Sequence, residues 1–223
     1  MSTLNRLAKV PSLQESARES IRKAIIKHEL KAGTRLVEAK ISKELGVSIT
    51  PIRSAFSDLS VQGLLTVLPY RGTFVKIITK EYVRDVFDLR EVLEVKAAEL
   101  GFHELCDEDV QYLDDLIVQS DFAMKRDDVY TSIQCDVSFH EKLFTLSNND
   151  LLMQMWYTIK HRIEYIQSYS KPATQSVLSI RHGPMMESIR ERDLNGYIEA
   201  LREHLHSSFY SVEFMENKDV QYH

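Results

Sequence analysis

The stretch Gly33-Thr34-Arg35-Leu36-Val37-Glu38-Ala39-Lys40-Ile41-Ser42-Lys43-Glu44-Leu45-Gly46-Val47-Ser48-Ile49-Thr50-Pro51-Ile52-Arg53 reads as two short helices around one glycine. A helix from Glu38 to Leu45 stops at Gly46, because glycine takes the left-handed conformation that closes a helix without a steric penalty. The next helix begins in Ser48-Ile49-Thr50-Pro51. Hydroxyls there can accept from the unpaired amides of a first turn, and proline's missing N–H costs nothing at that position. Two such helices form a helix-turn-helix.

Working outward, the segment Leu13 to Leu30 carries Ala17, Ile21, Ala24, Ile25 and Leu30 on one helical stripe, with Ala32-Gly33 as its stop. After Gly63, the runs Leu64 to Leu68 and Thr73 to Ile78 are rich in β-formers, and Pro69-Tyr70-Arg71-Gly72 supplies a turn between them. A hairpin after a helix-turn-helix makes a winged helix, so residues 1–78 are expected to form one domain and residues 79–223 a second. In this geometry the first residues of the second helix lie near base edges, and hydroxyls and cations grip phosphates. Ser48, Thr50 and Arg53 hold those positions, and Arg71-Gly72 would bring a cation and an unhindered backbone to DNA at the wing tip.

Charge supports the division. Of the 223 residues, the first 80 carry 14 Lys and Arg against 6 Asp and Glu, whereas the remainder carries 14 against 27. A basic module that meets a polyanion is thus joined to one that avoids it. No run approaches the roughly 20 apolar residues that cross a bilayer. The first ten residues lack the order of a secretion signal, which makes the cytoplasm the expected compartment. Cys106 and Cys135 stand far apart among polar neighbours and read as ordinary thiols.

From Lys80 onward only helical patterns occur: Glu81 to Leu105, Asp107 to Arg126, Asp128 to Leu146, Leu151 to Tyr169, Ser176 to Arg192 and Leu194 to Met215. Short joints between them predict an antiparallel bundle of six to seven helices, and a mainly α protein. Four polar residues fall on stripes that should be buried. Asp136 and His140 stand one turn apart among Ile133, Val137, Leu143 and Phe144, His182 lies among Leu178, Met185, Met186 and Ile189, and His204 lies among Tyr197, Leu201 and Leu205. Burying these groups requires compensation. A divalent transition metal supplies it, zinc first among nickel, manganese, iron and cobalt; a polar core network is the alternative. Arg90 and Arg162 also stand on apolar stripes, where a buried guanidinium calls for a planar anion: a ligand carboxylate, or an internal partner such as Glu94 or Glu164.

The string from Gly33 through Arg53, with Arg71-Gly72, resembles the GntR family of bacterial regulators, and that resemblance implies DNA contacts from Arg35, Ser48, Ile49, Thr50, Arg53, Arg71 and Gly72. Two departures stand out: Ile49 replaces an arginine common in the family, and Ser54 replaces a glutamate. Ile49 can meet a thymine methyl but has no donor for a guanine edge. The second half resembles the FCD effector domain of the FadR-type regulators through Leu89-Arg90, Glu94, Asp136, His140, Ser147, Asn149, Leu151, His182, Ile189, Asp193, Ala200 and His204. The resemblance implies metal binding by Asp136, His140, His182 and His204, and a small carboxylate effector near Arg90, Glu94 and Asn149, to which the stripe reading adds Arg162. Gly183-Pro184 departs from the pattern, and the proline predicts a kink within a turn of His182.

The combined expectation is a ligand-responsive transcriptional repressor, a homodimer on a double-stranded, palindromic operator, with no membrane association. Three histidines and one carboxylate would also suit a mononuclear metal-dependent hydrolase or oxygenase carrying a DNA-binding head. Against that alternative, no further carboxylate or tyrosine on an inward stripe is clearly placed as a general acid or base.

Overall fold

The computed structural model describes residues 12–170, 178–213 and 222, those at 178–180 by their backbone alone. They divide into two compact units, the first running to Lys76 and including Tyr222, the second beginning at Ile77.

The first unit opens with α1 (Leu13–Ile26), whose start is fixed by a reciprocal cap. The Ser12 hydroxyl accepts from the Glu15 amide at 3.1 Å, and the Glu15 carboxylate accepts from the Ser12 amide at 2.7 Å. The helix ends short of the expected Leu30 because His28 adopts φ 58°, and the Leu30 amide turns back to the Ala24 carbonyl. Next come β1 (Arg35–Leu36), α2 (Glu38–Leu45), α3 (Ile49–Val61), β2 (Leu65–Leu68) and β3 (Gly72–Val75). Gly46 closes α2 with φ 67°. Ser48 stands at the N-cap of α3 with extended backbone, yet its side chain makes no capping hydrogen bond, contrary to the expectation for its hydroxyl.

The strands form an antiparallel sheet of order β1-β3-β2, with Leu65 opposite Val75, Leu68 opposite Gly72, and Arg35 opposite Phe74. β3 ends earlier than the apolar run suggested; Ile77 and Ile78 are buried outside the strand. At the wing tip the Arg71 amide donates to the Leu68 carbonyl, Pro69 fixes the first turn position, and Tyr70 takes φ 62° at the second. That is the type II arrangement, in which glycine is the usual occupant of Tyr70's place. The core gathers Ile25, Ile52, Ala55, Leu59, Leu64, Phe74 and Val75. Each large apolar side chain among them contributes about 1.5–3 kcal/mol by leaving water.

The second unit comprises α4 (Lys80–Gly101), a 3-10 turn (Phe102–Glu104), α5 (Asp107–Met124), α6 (Val129–Leu146), α7 (Asp150–Gln167), α8 (Leu178–Glu191) and α9 (Leu194–Ser211). It has the mainly helical architecture expected. The described helices end within a few residues of the expected positions, except where the expected starts and ends fall outside the described residues, as at Ser176 and Met215. α6 packs against α4, α5 and α7, while α9 packs against α4 and α8, so α4, α6, α8 and α9 surround one interior. Gly101 lets α4 close on α6, since a Cβ there would lie 2.6 Å from the Leu143 carbonyl oxygen. Trp156, fully buried on α7, stacks on Phe144 of α6 with centroids 4.5 Å apart. α8 contains Pro184 and continues through it as one helical element. Among the described residues, no helix is long and apolar enough to cross a membrane.

Candidate metal and effector centre, and the DNA-facing residues

Helical periodicity places Asp136 and His140 on the same face of α6, directed into the interior of the second unit. α8 brings His182 and α9 brings His204 to the same place. All four are buried, and one potential ligand atom from each lies within 4.8 Å of those of the others. His140 Nε2 and His182 Nε2 face each other at 3.1 Å, and Asp136 Oδ1 lies 3.4 Å from His182 Nε2. The His204 ring stands near both other imidazoles, with centroids 5.1 and 4.5 Å away. Among the described residues, neither ring nitrogen of His204 has a hydrogen-bond partner.

Electrostatics set the charge states. Burial alone would raise the Asp136 carboxyl, but His140 and His182, followed by Arg181 and Arg90, override it and hold the group well below the usual carboxylate range. Burial, and then the neighbouring His182, His140, Arg181 and Arg90, disfavour a proton on His204 and hold it well below an ordinary histidine. The centre therefore presents an ionised carboxylate and a neutral imidazole, the forms that bind metals. Two ring nitrogens in mutual contact can share only one proton, and roughly 3 Å is the separation expected for two nitrogens bound about 2 Å from one ion. The residues present thus fit a divalent transition metal.

A supporting layer surrounds them. Gln167 donates from Nε2 to Asp136 Oδ2. Glu94 Oε2 lies 2.7 Å from His140 Nδ1, and Glu94 Oε1 accepts from Arg90 Nε. Arg90 is fully buried, and its Nη1 and Nη2 have no hydrogen-bond partner among the described residues. Arg181, beside His182 on α8, donates to the Ser208 hydroxyl at 2.5 Å. Gln167 and Arg181 were missed by sequence reasoning. Both left a signal, since Gln167 continues the Ile159, Ile163 stripe at helical spacing and Arg181 lies three residues after Leu178 and four before Met185.

Three residues expected near an effector are placed otherwise. Asn149 is exposed and caps α7, its side-chain oxygen accepting from the Leu152 amide at 3.0 Å. Arg162 is only half-buried; it donates to the Thr158 carbonyl and interacts with Tyr82, whose hydroxyl burial pushes up to about 12 against Arg162's opposing pull. Glu94 is in the centre, but its two oxygens are taken by Arg90 and His140. Of the expected effector residues, Arg90 is the one that holds buried donors without a hydrogen-bond partner among the described residues.

In the first unit, Arg35, Ser48, Ile49, Thr50, Arg53 and Arg71 are exposed. Ser48 to Arg53 follow one another along the start of α3, while Arg71 and Gly72 lie at the β2-β3 turn. Arg53 is engaged by Glu38 of α2, with Nη2 3.0 Å from Oε2, and this carboxylate raises its already high pKa. Arg71 lies over the Phe74 ring, 5.8 Å from its centroid.

A winged helix in one unit and a buried cluster of three histidines and one aspartate in another define a DNA-binding regulator with an effector domain. Residues 13–75 match the bacterial regulatory proteins of the gntR family, and residues 85–207 match the FCD domain. The chain belongs to the GntR-family transcriptional regulators that carry an FCD domain. It is similar to the transcriptional repressor RspR of Escherichia coli K12, 26% identical over 207 residues that cover 89% of each chain. It is also similar to the transcriptional regulator YdfH of Escherichia coli O6:H1, 25% identical with 98% of each chain covered. The fold matches a solved structure of E. coli McbR/YncC with a TM-score of 0.75 at 22% identity, covering 90% of this chain and 97% of that one. The family and these relatives are transcriptional regulators, which sets aside the metal-dependent hydrolase or oxygenase.

Proposed function

We propose that this regulator is a cytoplasmic, homodimeric repressor whose affinity for a double-stranded operator changes when a small carboxylate enters the second unit beside a divalent metal. Asp136, His140, His182 and His204 hold the ion, with zinc first among nickel, manganese, iron and cobalt. The bound ion supplies positive charge and coordination positions to which a carboxylate can add. Residues 1–78 act as the DNA-binding domain, through Arg35, Ser48, Ile49, Thr50, Arg53, Arg71 and Gly72, and residues 79–223 as the sensing and dimerising domain.

One observation carries the reading: Arg90 buries two guanidinium nitrogens without hydrogen bonds next to a cluster of metal-ligand type. Leaving a charged donor buried and unsatisfied is costly, and a planar carboxylate meets two parallel N–H groups in bidentate fashion. RspR's description as a repressor supports the sign of regulation. The switch requires the acid to bind one DNA-competence state better than the other, because equal binding to both shifts nothing.

The test is equilibrium binding of the zinc-loaded protein to a duplex selected by it from a random pool, with a panel of small mono- and dicarboxylates. At least one acid is expected to change the affinity by about 5- to 150-fold, the usual range of coupling between sites. Constant affinity across the panel would overturn the sensing claim.

A further inference from the structure

Glu94 stands where two demands meet. Its Oε1 accepts from Arg90 Nε and its Oε2 lies 2.7 Å from His140 Nδ1, while the other ring nitrogen of His140 faces His182. The carboxylate is 2% exposed, so water does not share either contact to any great extent. Neutral imidazole exists as two tautomers, and the one that can use Nε2 as a lone-pair donor carries its proton on Nδ1. A carboxylate 2.7 Å from Nδ1 favours the proton there by its charge and so biases the ring toward that form, although among the described residues Nδ1 has no partner in hydrogen-bonding geometry. Asp136 has a comparable support in Gln167, which takes Oδ2 and leaves Oδ1 turned toward His182.

We infer that Glu94 is the positioning residue of the metal centre, holding the His140 tautomer with one oxygen and orienting the anion-receiving Arg90 with the other. This rests on the metal reading proposed above. It assigns Glu94 a role that excludes direct contact with the effector, because neither carboxylate oxygen remains open and a second carboxylate would be repelled. It also means that the anion position and the ion position are built on one shared side chain. A change at Glu94 therefore disturbs both sites, although Glu94 touches neither ligand.

The experiment is a zinc titration of the full-length protein against a chromogenic chelator, paired with the visible absorption of the cobalt-loaded form. Glu94→Gln removes the carboxylate charge at nearly constant shape, and zinc affinity is expected to fall about ten- to hundredfold, the range seen when an outer partner of a metal-bound histidine is lost. Because that variant leaves Arg90 without its counter-charge and can cost the fold, Arg90→Gln is compared with the double variant Arg90→Gln/Glu94→Gln. The double variant is expected to bind zinc about ten- to hundredfold more weakly than Arg90→Gln alone, with an altered cobalt spectrum, while the helical circular dichroism of the two agrees. Equal affinity and identical cobalt spectra in that pair would overturn the role of Glu94. A wild-type protein that takes up no zinc would overturn the metal reading itself, and is distinguished by its failure before any substitution is made.

Discussion

The two units place their functional residues in opposite environments. In the winged helix the residues expected to meet DNA are exposed side chains on a finished apolar core: Ile49 and Arg53 stand outside while Ile52, Ala55, Phe56 and Leu59 carry the packing of the same helix. In the helical unit the residues expected to bind ligands are the interior. Arg90, Glu94, Asp136, His140, His182 and His204 are all buried, where an apolar protein would place leucine. Function and stability are thus separable in the first unit and entangled in the second.

The largest test of this contrast is metal removal. An ion that binds only the folded centre adds about 4 kcal/mol of stability at a thousandfold excess over its dissociation constant. Amide hydrogen exchange should therefore slow on zinc addition along α6, α8 and α9, and return with a chelator, while α1 to α3 stay unchanged. A uniform response across both units, or none in α6, would break the comparison. Gly101→Ala comes next. The added methyl would lie 2.6 Å from the Leu143 carbonyl oxygen. α4 must then back away from α6, at a cost of about 1–3 kcal/mol. Since α4 carries Glu94 and α6 carries His140, thermal stability and zinc affinity should fall together. A loss of stability with zinc affinity intact would show the centre to be less dependent on its helices than the burial implies.

The entanglement also explains what could be read in advance. Asp136 and His140 are spaced by one helical turn, so their shared face was visible without the fold, and His182 and His204 were visible as polar interruptions of apolar stripes. Glu94 was singled out, but the sequence cannot say that both its oxygens are taken by Arg90 and His140, because that sharing depends on how α4 packs on α6. Asn149 was assigned by resemblance to the effector site, whereas Asn149-Asp150 ahead of Leu151 is equally the local signature of a helix start, the role it has. β1 escaped notice because two residues are too few for an alternating pattern; its existence depends on β3, some forty positions away. The early end of α1 was hidden for a related reason: histidine is not an expected residue at φ 58°, and nothing local marked His28 as left-handed.

A smaller effect concerns acid stability. On the second unit Lys142 forms an ion pair with Asp109, which holds that carboxyl at about 2 instead of 3.8. A depressed folded-state value contributes stability that is complete above the unfolded value and is lost as pH falls from about 4 through about 2. The pair is partly solvated, so the contribution is on the order of 1 kcal/mol. Asp109→Asn should lower stability at neutral pH by that amount and flatten the acid limb of the denaturation midpoint in that window. An unchanged limb would show the pair to be silent.

The smallest expected effect on stability is at Ile49, and it is the one that isolates function. Its side chain is 43% exposed at the first position of α3, and the core of that helix is built from other residues. Ile49→Arg should therefore move the unfolding free energy by no more than about 0.5 kcal/mol. The same change adds the bidentate donor that isoleucine lacks, and a guanine contact of this kind discriminates by about 1–3 kcal/mol. Duplexes selected from a random pool by wild-type and variant protein should then differ at one position of each half-site, the variant favouring guanine, while melting temperatures coincide. Identical selected sequences would place Ile49 off the base edges. A large loss of stability would be the more damaging outcome, because it would mean that the exposed face of α3 is not separable from its core and that the two units differ less than their burial suggests.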